Sequence, residues 1–179
     1  MVHSLELLLD ADTDALIRQE WERLAALGLA NQGHIRAGTN RPHVTLLAAE
    51  QITTSADAAL TPVSTRLPIP MTVGAPVLFG PATRLTLARL VVPSTELLSV
   101  HAQVTRLSAD HLGDGPAMPH SATGRWTPHI TLARRLDASQ MSRVLEAIDP
   151  RSEITGAFVG LRHWDGDAKT EHVLAGRAC

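Results

Sequence analysis

The pentapeptide Pro42-His43-Val44-Thr45-Leu46 returns as Pro128-His129-Ile130-Thr131-Leu132, eighty-six positions later. Each copy is rich in β-branched and apolar residues, as a strand requires. Strand side chains alternate between faces, so the His and Thr of one copy share a face. Val44 and Leu46, like Ile130 and Leu132, take the other. The pattern predicts an apolar pair facing a core and a polar pair lining a cleft. Two such strands facing each other would gather two imidazoles and two hydroxyls around one small volume.

The motifs sit in a repeated frame. Residues 2–9 read as a strand, and Asp10 begins an acidic cap to a helix that runs to about Gly28, with Ile17, Trp21, Leu24 and Ala25 on one face. Residues 31–41 are loop-like, with room for a short strand. The first motif strand covers about 43–49, a short helix 54–61 ends at Pro62, and 69–79 are extended but broken by Gly74 and Pro76. The pattern then restarts. Leu85 to Val92 reads as a strand, and Ser94 caps a helix carrying Leu97, Val100, Val104 and Leu107. A Gly- and Pro-rich loop over 113–125 leads to the second motif strand at about 127–134. Asp137 with Gln140 forms a capping-box pattern ahead of another helix. Residues 153–164 and 170–175 read as strands joined by Asp165-Gly166-Asp167, a hairpin signal. Asp12-Thr13-Asp14-Ala15-Leu16 aligns with Ser94-Thr95-Glu96-Leu97-Leu98 at an offset of 82, against 86 for the motifs. The frame is an internal duplication of about ninety residues. It predicts one domain over 1–179, made of pseudo-symmetric halves at about 1–82 and 83–179.

Composition narrows the function. A formal net charge of −2 argues against a protein that coats long nucleic acid through a broad basic face. It leaves room for a small nucleotide or one RNA end held by a few arginines. No apolar run reaches the length of a membrane span. Met1-Val2-His3-Ser4 does not begin a signal peptide pattern. The one cysteine, Cys179, has no internal disulfide partner and suits neither a nucleophile nor a metal cluster. A cytoplasmic monomer is the expectation.

Two histidines in one cleft suit general acid–base catalysis. One takes a proton from the attacking oxygen and the other gives one to the leaving oxygen. Imidazole populates both forms near neutral pH. Threonine hydroxyls can donate to non-bridging phosphate oxygens and stabilise developing charge. That set needs no metal, and although nine histidines invite a metal reading, none has metal-ligand spacing on a helix or a carboxylate beside the motif. A single His-x-Thr is more often a half-buried strand. The repeat is hard to explain by packing, because neither His nor Thr is a favoured core residue.

The paired motifs, the duplicated frame and the length resemble the 2H phosphoesterase superfamily, which includes 2′-5′ RNA ligase-like proteins and cyclic nucleotide phosphodiesterases. The resemblance covers essentially the whole chain. It implies an α+β, internally duplicated two-lobed fold, with an antiparallel sheet and helices in each lobe and a central cleft holding both motif strands. It further implies that His43 and His129 are the acid/base pair and that Thr45 and Thr131 bind phosphate. Members act on 2′,3′-cyclic phosphate ends of RNA, on cyclic phosphates of ADP-ribose or on 2′-5′ linkages. The expected activity is a metal- and cofactor-independent phosphodiesterase whose partner is a small nucleotide or an RNA end carrying a cyclic phosphate. A non-catalytic nucleotide or RNA-end binder is the alternative, and 2′-5′ ligation in vivo ranks below both. This chain has no tyrosine, so the base-stacking platform of some members is not evident.

Further candidates lie beside the motifs. Arg41 and Arg135 share strand parity with His43 and His129 and are candidate phosphate contacts, although strand-end arginines are usually solvated. Trp126 and Trp164 are candidates to stack a base, with core packing the commoner use of such residues. His34 and His120 each precede a motif histidine by nine positions, in loops that can edge the cleft. His101 falls on an apolar helix face and reads as packed. The 113–125 loop is either a lid or a plain connection.

Overall fold

The computed structural model describes residues 1–176, so Cys179 lies outside the described residues. Seven strands and five helices follow in the order β1 (His3–Leu9), α1 (Ala11–Ala26), β2 (His43–Ala49), α2 (Ser55–Ala59), α3 (Thr61–Ser64), β3 (Ile69–Phe79), β4 (Leu85–Val91), α4 (Thr95–Ser108), β5 (His129–Leu136), α5 (Met141–Ala147), β6 (Ile154–Asp165) and β7 (Thr170–Ala175). The fold is α+β with antiparallel pairing throughout. Residues 31–41 contain a 3-10 turn at Gln32–His34 and no strand. Pro62 does not end the helical stretch after β2. It opens a second short helix, α3, in the first turn, where a missing N–H breaks no bond. Gly74 and Pro76 leave β3 continuous and are absorbed by a register shift against β4 between Val73 and Pro76.

The two halves share the order strand, helix, motif strand, helical segment, strand, with β7 added to the second. The pairings exchange the last strand of each. β1 pairs with β2 and with β6, while β4 pairs with β5 and with β3. β3 and β6 pair with each other, and β2 meets β5 at a single register pair, Val44 with Ile130. Six strands therefore form a closed ring, and β7 extends it from β6.

The helices cross over too. α1 packs on β5 and β6, and α4 on β2 and β3. Asp10 starts α1 by accepting from the Thr13 amide at 2.9 Å, and it also accepts from the Ala157 amide of β6 at 2.6 Å. One carboxylate thus caps the helix and ties it to the sheet. The approach is close enough that only glycine fits at 156, where a Cβ would lie 2.0 Å from Thr13 Oγ1. The buried core runs through both halves, from Leu5, Leu7 and Val44 to Ile130, Leu132 and Phe158. Arg89 is 1% exposed, yet its guanidinium reaches both carboxylate oxygens of Glu20 and the carbonyls of Gly74 and Ser152. A buried charge with so many partners is tolerated; one stripped of them is not.

Candidate active site

Val44 and Ile130 are both fully buried, so His43, Thr45, His129 and Thr131 take the opposite face. The antiparallel register around that pair sets His43 abreast of Thr131 and His129 abreast of Thr45. All four line one cleft of about 810 Å³. Its walls come from both halves: Ser4 and Glu6 of β1, Phe79 of β3, Thr86 of β4, Arg134 of β5, and Arg162 and Trp164 of β6.

The two histidines are held alike. His43 Nδ1 lies 2.8 Å from the carbonyl of Arg41, and His129 Nδ1 lies 2.7 Å from that of Thr127. A carbonyl only accepts, so each Nδ1 carries the hydrogen and each Nε2 is left for chemistry. The motif backbone is pinned by two indoles. Trp126 Nε1 donates to the Thr45 carbonyl at 2.8 Å, and Trp21 Nε1 of α1 donates to the Thr131 carbonyl at 3.3 Å. Burial is the main cause that holds His129 below the usual imidazole value. The nearby charges of His43, Arg134 and His120 push the same way, against the bond to Thr127.

The other candidates separate. Arg41 does not line the large cleft; its guanidinium meets both oxygens of Glu171 on β7 at 2.6 and 2.7 Å. It borders a small notch beside His43 instead. Arg135 does not line the cleft; Arg134 does. The strand parity that pointed to Arg135 is broken by two register shifts: β5 carries one more residue than β4 between Thr131 and Ala133, and again between Ala133 and Leu136, where Arg135 takes a left-handed φ of 62°. Trp126 lines the cleft, but its ring stacks on His101 at 4.1 Å with a 2° tilt, which fills its inner face. His101 is packed, 2% exposed, with Nε2 on the Ser121 carbonyl at 2.9 Å. Trp164 lines the cleft and carries the Arg162 guanidinium 5.9 Å from its ring centre. His120 borders the cleft, whereas His34 pairs with Asn31 outside it. The 113–125 loop is tied to β2, with the Met118 amide donating to the Ala48 carbonyl at 2.7 Å.

Among the described residues, two groups of side chains bring metal-type ligand atoms within 4.8 Å of one another: Asp57 with His163 and His172, and His3 with Asp165 and Asp167. Neither contains a motif residue. In the first, each carboxylate oxygen of Asp57 already meets an imidazole Nδ1 at 2.7 Å. In each group one member, Asp57 or His3, lies far in sequence from the two on the β6–β7 hairpin, so spacing gave no signal for the set.

The sequence profile of the 2′-5′ RNA ligase superfamily matches residues 13–168. The chain belongs to this superfamily, the 2H phosphoesterases. Among solved structures, the 2H fold is shared with E. coli LigT complexed with 3′-AMP, at 15% identity and a TM-score of 0.55 over 98% of this chain and 94% of that one. It is shared with Kluyveromyces marxianus Usb1 at 12% identity and a TM-score of 0.53, over 98% of each chain. At such identities the likeness is one of fold. No curated protein matches by sequence. Among the described residues, no helix is long and apolar enough to cross a membrane.

Proposed function

We propose that the protein is a metal-independent phosphoesterase that opens a cyclic phosphate, or cleaves a 2′-5′ phosphodiester, of RNA or a small nucleotide. The observation that carries this reading is the matched pair of histidines on one cleft, each anchored through Nδ1 to the carbonyl two residues before it. In the reaction a water proton passes to one Nε2 as the water oxygen bonds to phosphorus. The bond to the leaving ribose oxygen breaks, and that oxygen takes the proton of the other Nε2. Thr45 and Thr131 donate to the non-bridging oxygens, whose charge grows in the transition state. Arg134 supplies a further cation at the cleft wall. Small nucleotides in E. coli LigT and in K. marxianus Usb1, the latter solved with uridine monophosphate, support a ligand of this class.

The test is a substrate panel of 2′,3′-cyclic mononucleotides, cyclic-phosphate RNA ends, ADP-ribose cyclic phosphate and 2′-5′ linked oligonucleotides. Turnover of at least one, lost in the His43→Ala, His129→Ala double variant, supports the reading. Binding without turnover across the panel would instead make the protein a nucleotide or RNA-end binder.

A further inference from the structure

Glu6 and Ala88 occupy corresponding places in the two halves. Glu6 pairs with Thr45 across β1 and β2, and Ala88 pairs with Thr131 across β4 and β5. Beside one motif strand the duplicated frame carries a carboxylate, and beside the other only a methyl group. The pseudo-symmetry of the site is broken at this position.

We propose that Glu6 is a positioning residue that fixes the division of labour between the two motif histidines: its carboxylate keeps the proton on His43, which serves as general acid, and leaves His129 to serve as base. The inference rests on the reading of the cleft as a phosphodiester-cleaving site.

Glu6 is 4% exposed, and its two oxygens have different tasks. Oε2 accepts from Arg162, with Nε and Nη2 each at 2.7 Å. Oε1 accepts from the Ser4 hydroxyl and stands 3.6 Å from His43 Nε2. That separation exceeds a hydrogen bond, so the Nε2 proton is not consumed by Glu6 and can go to a leaving oxygen. It is short enough for the charge to act in a partly buried site. Burial alone would raise the Glu6 carboxyl. His43, Arg162 and Ser4 outweigh it and hold the group below the usual carboxylate range, so Glu6 is ionised at neutral pH.

The cations around Glu6 do not cancel its effect. Arg162 is shared with Glu171, 2.8 Å from Nη1, and Glu171 also holds Arg41. Glu6, Arg162, Glu171 and Arg41 alternate in sign along three ion pairs, and the imidazole of His43 sits beside Glu6. His129 has the opposite surroundings. Among the described residues no ion pair reaches it, the charged groups acting on it are His43, Arg134 and His120, and its ring leans on Phe79 at 4.8 Å. A neutral imidazole is what burial, first, and the charge of Arg134 favour. The step balances: the water proton goes to His129 Nε2, the new P–O bond forms as the ribose P–O bond breaks, and the His43 proton caps the leaving oxygen. Exchange with solvent then resets both rings.

Two measurements test this. The first follows the imidazole Cε1–H resonances of the intact wild-type protein against pH by NMR, assigned with single His variants. His43 is expected to keep its proton after His129 has lost its own. The reverse order would overturn the proposal, whether or not any substrate is turned over. The second compares kcat/KM against pH for wild type, Glu6→Gln and Glu6→Asp. In Glu6→Gln the alkaline limb should move toward acid by about one pH unit or more, with the acid limb moving less. Glu6→Asp should restore part of the shift, which a merely structural role would not. A Glu6→Gln profile that falls in height but keeps both limbs would also overturn it. If Glu6→Gln does not fold, the double variant Glu6→Gln, Arg162→Met removes both ends of the buried pair and carries the same prediction. A wild-type protein inactive on the whole panel would sink the phosphodiesterase reading, while the NMR order still decides the pairing.

Discussion

The indole of Trp21, on the first helix, donates to the carbonyl of Thr131 in the second motif. Trp126 does the same for Thr45 in the first motif. Each motif strand is thus fixed in place by a residue from the opposite half of the chain. Trp21→Phe and Trp126→Phe keep most of the packed surface but remove the indole donor from a motif carbonyl, at a cost of about 1 kcal/mol. The expected result is a lower urea midpoint together with a lower kcat, since the adjacent hydroxyl loses its position. Wild-type kcat in a destabilised Trp126→Phe protein would show that the indole serves the fold alone.

Substitution of either motif histidine by alanine should remove most activity and leave the circular dichroism spectrum unchanged. Thr45→Val and Thr131→Val should each reduce kcat by about a hundred- to a thousandfold, the scale of one lost transition-state donor. Steady-state rates on a panel substrate provide the check.

The pH–rate profile of kcat/KM should be a bell whose limbs belong to the coupled pair of imidazoles. His129 is held below the usual imidazole value by burial first, with nearby positive charge adding to it. The base must be unprotonated, so activity should persist below about pH 6.5, the ordinary midpoint for histidine. Because the stabilising groups are hydroxyls and an imidazolium, rates should survive exhaustive chelation. Loss of activity in EDTA, restored by zinc or manganese, would contradict the proposed mechanism.

Arg134 and Arg135 are neighbours in sequence with opposite expectations. Arg134 lines the cleft, so Arg134→Ala should lower kcat/KM by about ten- to a hundredfold, the scale of a lost hydrogen bond to a charged group. Arg135→Ala should leave activity within about threefold. Arg135→Gly should raise stability by up to about 1 kcal/mol, since glycine relieves the left-handed backbone. Thermal melts and kinetics on the three variants settle the contrast.

The cap that joins α1 to β6 makes a stability prediction. Asp10→Ala should cost about 1 kcal/mol or somewhat more. Gly156→Ala should cost about 1–3 kcal/mol by overpacking against Thr13 and Asp10. Burial works to raise the Asp10 carboxyl, but the donors of Thr13 and Ala157 prevail and hold it below its ordinary value. Its folded value being depressed, its contribution is complete above about pH 4 and is lost as pH falls through the folded value. Denaturant titrations at pH 7 and pH 3 should show the Asp10→Ala penalty shrinking in acid.

The motif strands, the hairpin at Asp165 and the helix caps were legible because each depends on local chemistry: alternation, a turn dipeptide, a side chain that reaches an amide. His101 was legible as packed for the same reason. Arg135 was misplaced by parity because a bulge depends on how β5 meets β4, which β5 alone does not encode. Glu6 was missed because it reads as an ordinary polar residue within an apolar strand, and its meaning comes from His43, Ser4 and Arg162 arriving from elsewhere. The exchange of β3 and β6 was hidden similarly. A repeat fixes the order of elements in each half but not which half completes which sheet.

That exchange has a consequence for how such a molecule assembles. A polypeptide of one half alone would leave the strand that follows its motif with no sheet to join, unless a second copy accepted it and offered its own in return. Cleavage in the turn at 80–84, between β3 and β4, should therefore give two fragments that are unfolded apart and fold on mixing. The cleft, read this way, is a subunit interface made permanent by a peptide bond, and each half contributes one histidine to it.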